Sequence, residues 1–294
     1  MVTFRAMTEA DVPAAVEAFN SGFLAMMARH NLPVTHSSIL DERYRQDRTR
    51  HLLRTDPAGS WVAVGDDGSV VGMSQSLVRE GYWTLSQIGT LPGRQGHGVG
   101  RELLRLALAY GDPEGPGTIQ CSRDPKAMAL YASCGFALHP VVAAWGVMRP
   151  GSVRYPTEVR RCEPDQVGPR ELEIVAGVDR ARRGSTRSAD IVAMLSRPGT
   201  RLLLHEDQAY AVARDERVVT LGGRQEESAR LVLRAMLAET PAGETVQVNW
   251  LTSAQQWAIA EVVAAGIELV PYGPVMVRGM DEPPGPYIPS GGFG

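Results

Sequence analysis

The stretch that decides the fold is QIGTLPGRQGHGVGRELLRLAL, residues 87–108. Residues 85–91 predict a strand, and Pro92-Gly93 predicts a turn after it. From Val99 onward, apolar residues recur at the spacing of a helix. A helix that follows such a glycine-rich loop presents N–H groups without intrahelical partners, at the positive end of its dipole. The stretch therefore predicts a phosphate-binding loop.

The glycines of this loop allow close contact, because a β-carbon at Gly96 or Gly98 would hold an anion away from the backbone amides. Two other phosphate loops do not fit the spacing. A dinucleotide-binding fingerprint needs a third glycine where Arg101 or Leu103 stands. A Walker loop needs lysine where Val99 stands. The remaining pattern is Q-x-x-G-x-G behind a strand that ends in Leu-Pro.

A second motif lies downstream at residues 127–136, with the pattern A-x-x-L-Y-x-x-x-G-F. Asp124 and Pro125 predict the start of its helix, since Asp is a favourable N-cap and Pro suits the first helical position. Gly135 predicts its end, and residues 118–121 predict a short strand before it. By itself, Tyr131 on this helix would indicate only a core position with a satisfied hydroxyl.

Together, and in this order and spacing, the two motifs resemble those of the GCN5-related N-acetyltransferases (GNAT), over about residues 3–150. The resemblance implies an α/β (α+β) fold with a mixed, mostly antiparallel, twisted sheet flanked by helices. It also implies acetyl-CoA as cosubstrate. The residues that would hold its diphosphate are Gln95, Gly96, His97, Gly98, Val99 and Gly100.

The strand before the loop is expected to bind the pantetheine arm of the coenzyme. By the resemblance, the arm bonds to the exposed backbone of Ile88, Gly89 and Thr90, so side-chain changes there should matter little. Gly89 inside a strand also predicts either a bulge or a close approach of another backbone.

The expected reaction is attack of a neutral amine on a thioester, from which a thiolate leaves, so a proton donor beside the sulfur assists it. The resemblance gives this role to Tyr131, whose phenol is protonated at neutral pH. Asp124 stands where the family often has a cofactor-contacting Asn; it is predicted as a helix cap and included among the cofactor-binding residues. The general base is left open. Many relatives have Glu at the position of Ser86, a poor base, which leaves a water chain, Glu80 or the terminal carboxylate of Gly294.

The tail, residues 283–294 (PPGPYIPSGGFG), has the composition of a mobile, solvated end. A second hypothesis comes from another multi-domain acetyltransferase group, the enhanced intracellular survival proteins, in which the terminal carboxylate acts as base. By that resemblance, the tail would pack into the cleft of the first domain and Gly294 would supply a carboxylate.

The second half of the chain repeats the first in outline. Residues 90–95 (TLPGRQ) return as residues 220–225 (TLGGRQ), and residues 118–136 are echoed by a predicted strand at 245–248 and a helix at 253–265. We therefore predict two tandem GNAT-like domains, 1–150 and 151–282, followed by the tail. The second is expected to be non-catalytic, because Glu226 and Glu227 would repel a diphosphate and Val262 replaces Tyr131.

Composition limits the remaining classes. The 294 residues, 44% hydrophobic and 21% charged, suffice for two globular domains. A net charge of -3 without a basic face argues against nucleic acid. Without a long apolar run or a signal peptide, no membrane is expected and the location is expected to be cytoplasmic. The cysteines, which are too scattered for a disulfide framework or a metal site, are Cys121, Cys134 and Cys162.

Before the loop, the pattern predicts a strand at residues 2–5, a helix opened by a capping box at Thr8, and a hairpin of residues 61–64 and 69–77. A charged helix is predicted at residues 37–53, over the mouth of the site. The histidines of this region, interpreted as solvated rather than catalytic, are His30, His36 and His51.

Two functions from different classes remain. The favoured one is an acetyl-CoA-dependent N-acetyltransferase that acts on a primary amine of a small molecule. The alternative is a noncatalytic acyl-CoA-binding regulatory or interaction protein, favoured by Ser86 in place of the usual Glu. Protein acceptors are a less favoured third option. The expected partner is thus a small-molecule amine acceptor, and a homodimer is left open.

Overall fold

The computed structural model describes residues 1–30 and 41–294, which form two compact units. The first unit comprises Met1–Ile119, Asp124–Lys126 and Gly292–Gly294, and the second comprises Gln120–Arg123 and Ala127–Gly291. These units are defined by spatial proximity. The boundaries 1–150, 151–282 and 283–294 describe the sequence repeat and stay a prediction.

The first unit contains the glycine loop and most of the elements predicted around it. In chain order these are β1 (Thr3–Ala6), α1 (Val12–Arg29), α2 (Glu42–Thr55), β2 (Ser60–Val64), β3 (Val70–Arg79), β4 (Tyr82–Thr90), α3 (Val99–Leu108) and β5 (Gly117–Gln120). Short 3-10 helices lie at Glu9–Asp11, Pro57–Gly59 and Pro92–Arg94.

Its strands follow the order β1-β2-β3-β4-β5. The first three pairs are antiparallel, and β4 pairs with β5 in parallel. The β2–β3 hairpin is confirmed, as is the helix start at Thr8, whose amide donates to Asp11 Oδ2 at 2.8 Å. The charged helix begins at Glu42, and the predicted residues 37–40 lie outside the described residues.

Helices cover both faces of this sheet. Ser74 Oγ donates to the carbonyl oxygen of Leu103 in α3, and the adjacent Gln75 donates from Nε2 to the carbonyl oxygen of Thr49 in α2. Because successive strand residues point to opposite faces, α3 and α2 lie on opposite sides of β3. The apolar residues that join α1 to the sheet are Val12, Ala15, Val16, Val62 and Met73.

The second unit contains the remaining elements. They are α4 (Pro125–Ser133), β6 (Ala137–His139), β7 (Val142–Val147), β8 (Arg160–Cys162), α5 (Pro169–Arg183), α6 (Ser188–Leu195), β9 (Thr200–His205), β10 (Ala209–Arg214), β11 (Arg217–Gly223), α7 (Glu226–Ala238), β12 (Thr245–Leu251), α8 (Gln256–Ala264), β13 (Leu269–Pro271), β14 (Val275–Arg278) and β15 (Tyr287–Ile288). Pro125 and Lys126, the first residues of α4, belong to the first unit.

The main sheet of the second unit has the order β13-β7-β12-β11-β10-β9-β8, and β15 also pairs with β11. Every pair is antiparallel except β11 with β12. Strands β6 and β14 pair with each other in antiparallel orientation outside this main sheet. A large apolar core lies under α7 and α8, with Leu221, Leu233 and Val262 fully buried. The predicted fold class, two mixed and mostly antiparallel sheets flanked by helices, is confirmed.

The central strands β4 and β11 carry matching bulges. The pairing of β4 passes from Leu85 to Gln87, which leaves Ser86 as an extra residue. The pairing of β11 passes from Val218 to Thr220, which leaves Val219 as an extra residue. When the two bulges are aligned with each other, Thr220 corresponds to Gln87. The sequence repeat instead aligned Thr220 with Thr90. That alignment is wrong, because the two similar sequences occupy different positions along their strands.

No helix among residues 1–30 and 41–294 has the length and apolarity needed to cross a lipid bilayer.

Candidate active site

The glycine loop of the first unit has the backbone that its sequence predicts. Gly96 and Gly98 have φ values of +82° and +83°, a left-handed conformation that glycine adopts without the steric cost of a β-carbon. Among the described residues, a β-carbon built on Gly96, Gly98 or Gly100 would meet no atom within 4 Å. The space in front of this loop is therefore open to a ligand.

The loop leads directly into the N-terminus of α3. Gly98 is the N-cap residue and has no side chain with which to cap the helix. The amide of Glu102 makes the first intrahelical bond, to the carbonyl oxygen of Gly98 at 3.1 Å, so the amides of Val99 and Gly100 lie before it. Such amides lack intrahelical acceptors and lie at the positive end of the helix dipole. Their arrangement suits a phosphate or diphosphate.

Side chains of the first unit fix the start of the loop. Arg29, the last residue of α1, donates from Nη2 to Gln95 Oε1 at 2.7 Å. His97 Nδ1 lies 3.0 Å from the carbonyl oxygen of Gln95. Arg94 and His97 also line a pocket of about 380 Å³ beside Gly98. The sequence interpretation missed Arg29, since nothing in the local pattern links it to a residue so far along the chain.

One edge of β4 becomes unpaired just before the loop. Pairing with β5 ends at Leu85, and Ile88, Gly89 and Thr90 pair only with β3 in the part of the chain that the structure describes. The bulge lies at Ser86, three residues before Gly89. A β-carbon on Gly89 would lie 3.0 Å from the Cα of Phe19, so this glycine permits a close approach of α1. Of the two predicted reasons for Gly89, close approach is therefore the correct one.

A buried hydrogen-bond network lies beside the bulge. Arg48 of α2 donates from Nη2 to Gln87 Oε1 at 2.6 Å. Gln87 Nε2 donates to Thr49 Oγ1 and to Gln75 Oε1, each at 2.8 Å. All four side chains are buried. The network fixes α2 against the central strands at the point where β4 separates from β5.

The charged helix α2 therefore buries two arginines. The guanidinium of Arg45 lies 4.5 Å from the ring centroid of Phe19, and burial, together with the nearby Arg48, lowers the pKa of Arg45 to about 9. The buried residues of α2 are Arg45, Arg48, Thr49 and Leu52. They share one face at i, i+3, i+4, i+7 spacing, but three of the four are polar, so the sequence carries no hydrophobic signal for this face.

The histidines of this region are less exposed than predicted. The side chain of His30 is 28% exposed, and its Nε2 lies 3.9 Å from Asp124 Oδ1. The ring of His51 contacts Phe293 edge-on, with 5.8 Å between centroids. Both rings are thus partly rather than fully exposed, because the helical region packs against neighbouring residues, and their interpretation as non-catalytic stays a prediction. His36 lies outside the described residues.

Asp124 caps α4 as predicted, since the amide of Lys126 donates to its Oδ1 at 2.9 Å. Tyr131 lies on α4 in the second unit and is 5% exposed. Its role as the acid and the cofactor contact of Asp124 stay predictions.

The candidate bases lie in different places. Glu80 occupies the β3–β4 turn with φ of +48°, and at about 3.3 Å per strand residue it is about 20 Å from Ser86. The Ser86 hydroxyl is buried and has no hydrogen-bond partner among the described residues. Gly294 is buried in the first unit, next to Phe293, which is 2% exposed.

Residues 1–30 and 41–294 contain no group of three or more His, Cys, Asp or Glu side chains that could hold a metal ion. The three cysteines are free thiols.

Comparisons with known proteins agree with this arrangement. Residues 25–136 match the sequence model of the acetyltransferase (GNAT) family. Mycothiol acetyltransferase of Streptomyces avermitilis is 32% identical over 143 residues, which are 47% of this chain and 44% of that protein. The match thus spans less than half the length of this relative.

Two solved structures cover nearly the whole chain. A putative acetyltransferase from Pyrococcus horikoshii has a TM-score of 0.75 at 17% identity. The alignment covers 100% of this chain and 96% of that protein's chain. A GCN5-related N-acetyltransferase from Sphaerobacter thermophilus has a TM-score of 0.59 at 13% identity, over 96% of this chain and 98% of its own. At this identity they establish the fold. Residues 25–136 thus match the GNAT family of acetyltransferases, and the whole chain has the fold of these two structures.

Proposed function

We propose that the protein is an acetyl-CoA-dependent N-acetyltransferase that moves an acetyl group to a primary amine of a small molecule. The observation that carries the proposal is the open, glycine-rich N-terminus of α3, directly after a bulged strand with one unpaired edge. The name of the relative from Streptomyces avermitilis, mycothiol acetyltransferase, supports a small molecule as acceptor.

The residues of the first unit fit the coenzyme. The amides from Gln95 to Gly100 donate to its diphosphate, since no β-carbon or capping side chain obstructs them. The unpaired edge of β4 at Ile88, Gly89 and Thr90 supplies main-chain bonds to its pantetheine arm. When bound, acetyl-CoA supplies the acetyl group as a thioester.

In this proposal, one residue of the α4 region supplies a proton and another positions the helix. Tyr131 holds a proton on its phenol at neutral pH and delivers it to the leaving thiolate. Asp124 acts through the cap of α4, which fixes the start of the helix that carries Tyr131.

Neither Ser86 nor Glu80 is well suited to take the proton of the amine, so the proposal assigns no base. Ser86 is a poor base, and Glu80 lies far along β4. The last three residues belong to the first unit, where Phe293 packs against His51 and Gly292 against Arg48. Residues 292–294 are thus held in a defined position in the first unit.

Turnover tests the proposal. The protein is incubated with acetyl-CoA and a panel of small primary amines, and the release of free thiol is followed. We expect release only with an amine, and a Tyr131→Phe variant that lowers kcat by about tenfold or more. The matched control is Tyr155→Phe, a tyrosine that is 38% exposed in the second unit, which should leave kcat unchanged. Coenzyme binding without turnover of any amine would instead favour the noncatalytic binding protein.

A further inference from the structure

The second unit lacks a counterpart of the glycine loop. Only Arg224 and Gln225 separate β11 from α7, whereas residues 91–98 separate β4 from α3. A β-carbon on Gly223 would lie 2.7 Å from the Cβ of Ala229, so this turn is tightly packed. The first turn of α7 also carries Glu226 and Glu227. This end of the second unit is therefore closed to a diphosphate.

The groove beside β11 is filled by the chain itself. Parallel pairing of β11 with β12 is confined to Arg217 and Gln247, before the bulge at Val219. Beyond the bulge, β15 pairs with the edge of β11, with Leu221 opposite Ile288 and Gly222 opposite Tyr287. The corresponding edge of β4, after its own bulge, has no such partner among the described residues.

Hydrogen bonds hold this segment at both ends. The amide of Gly223 donates to the carbonyl oxygen of Pro286 at 3.1 Å, and Thr220 Oγ1 donates to the carbonyl oxygen of Ile288 at 2.9 Å. Such contacts are typical of strand addition, in which an extended segment pairs with the open edge of a sheet.

The side chains of the segment are part of the interior of the second unit. Tyr287 is 2% exposed and Ile288 is 1% exposed. The guanidinium of Arg187 lies 5.4 Å from the ring centroid of Tyr287 and is itself paired with Asp179 at 3.0 Å. The segment from Pro286 to Ile288 is thus a built-in component of this groove.

We infer that the groove between β11 and β12 is a peptide-binding site whose occupant is the chain's own segment Pro286–Ile288, and that the second unit therefore takes no acyl-coenzyme. The inference rests on the proposed function, because the groove is matched to the unpaired edge of β4 assigned there to the pantetheine arm. The chain accordingly has one coenzyme site, and its second groove holds the C-terminal segment.

Amide hydrogen exchange of the full chain tests the occupant. Ile288→Asp places a charge at a buried position and should expel the segment, so that exchange at Gly223 becomes at least tenfold faster than in wild type. Ile288→Ala, which still folds if the charged variant does not, should change exchange in the same direction by less. The control Val263→Asp adds the same charge at a residue that is 51% exposed and should leave Gly223 unchanged. Equal protection of Gly223 in wild type and both Ile288 variants would overturn the inference.

Titration calorimetry with coenzyme A tests the number of sites. We expect one equivalent per chain in wild type and none in a Gly98→Asp variant, which blocks the loop of the first unit. Two equivalents in wild type, or one equivalent retained by the variant, would overturn the inference. No binding to wild type would reject the proposed function, and the exchange at Gly223 would still decide whether the segment occupies the groove.

Discussion

Gly292 lies against the guanidinium of Arg48 so closely that a β-carbon at this position would overlap Nη1 and would lie 3.2 Å from Cδ. Arg48 has little freedom to move away, because it is buried and its Nη2 donates to Gln87 at 2.6 Å. Residues 292–294 can therefore adopt this position in the first unit only with glycine at position 292.

A Gly292→Ala variant should be less stable than wild type by about 1–3 kcal/mol, because the added methyl group is forced against the buried guanidinium of Arg48. The matched control is Gly291→Ala, whose β-carbon would be 3.4 Å from Trp250, an ordinary contact. Urea unfolding of both variants provides the measurement. Equal stability of Gly292→Ala and wild type would contradict the close contact between Gly292 and Arg48.

A Gly98→Ala variant should weaken coenzyme A binding by about tenfold, because alanine disfavours the φ of +83° by about 1–2 kcal/mol and its methyl group points into the open loop. Gly68→Ala is the matched control. Gly68 has φ of +80°, also in open space, but lies in the β2–β3 turn. Both variants should lose similar stability in thermal unfolding, and calorimetry should find weaker binding only for Gly98→Ala. Equal affinities would contradict the assignment of the loop.

The glycine loop and the fold class could be predicted from the sequence because their determinants are local. Gly96, Gly98 and the apolar face of α3 lie within a few turns of chain, where spacing alone fixes the conformation. The element order then follows, since each strand and helix has its own periodicity. The bulge at Ser86 is different, because it depends on the register with β3, and no residue type in β4 specifies it.

The buried role of the tail and of α2 could not be predicted from composition. Residues 283–294 are rich in proline and glycine, which is typical of mobile ends, yet Tyr287, Ile288 and Phe293 are buried through contacts with distant parts of the chain. Arg45 and Arg48 similarly suggest an exposed helix face. Their burial depends on partners such as Phe19 and Gln87, which the sequence places far away.

Acid should destabilise the first unit partly through Asp11. Hydrogen bonds from Arg5, and then from Thr8, hold the pKa of this carboxyl well below its usual range against the opposing effect of burial. A carboxyl whose pKa is lower in the folded than in the unfolded state stabilises the fold at pH values above its unfolded-state pKa of about 3.9. This stabilisation is lost as the pH falls from there toward the folded-state pKa.

Asp11→Asn should therefore be less stable than wild type by about 1 kcal/mol at neutral pH, and this difference should shrink below about pH 4. Urea unfolding at a series of pH values is the measurement. Asp47→Asn, an exposed position on α2, serves as the control and should show no such convergence. A stability difference for Asp11→Asn that is independent of pH would contradict the assignment to this carboxylate.

Loss of one partner of the buried pair Arg187 and Asp179 should strongly destabilise the second unit. Both side chains are fully buried and 3.0 Å apart, and Arg187 Nη2 also donates to Thr220 Oγ1 at 2.7 Å. Burial raises the pKa of Tyr210 well above its ordinary value, so its phenol keeps the proton that it donates to Asp179. The carboxylate accepts hydrogen bonds from Tyr210 and from Arg187, and removal of Arg187 leaves a buried anion without this cationic partner.

Arg187→Met should destabilise the second unit by about 3–5 kcal/mol, whereas the double variant Arg187→Met with Asp179→Leu should recover part of the loss, because no charge remains unpaired. Guanidinium unfolding followed by tryptophan fluorescence, to which Trp145, Trp250 and Trp257 of the second unit contribute, measures both. The control Arg170→Met, at an exposed position of α5, should change the midpoint little. If the double variant were no more stable than Arg187→Met, the loss would come from the packing of the Arg187 side chain against Tyr287 rather than from the stranded carboxylate.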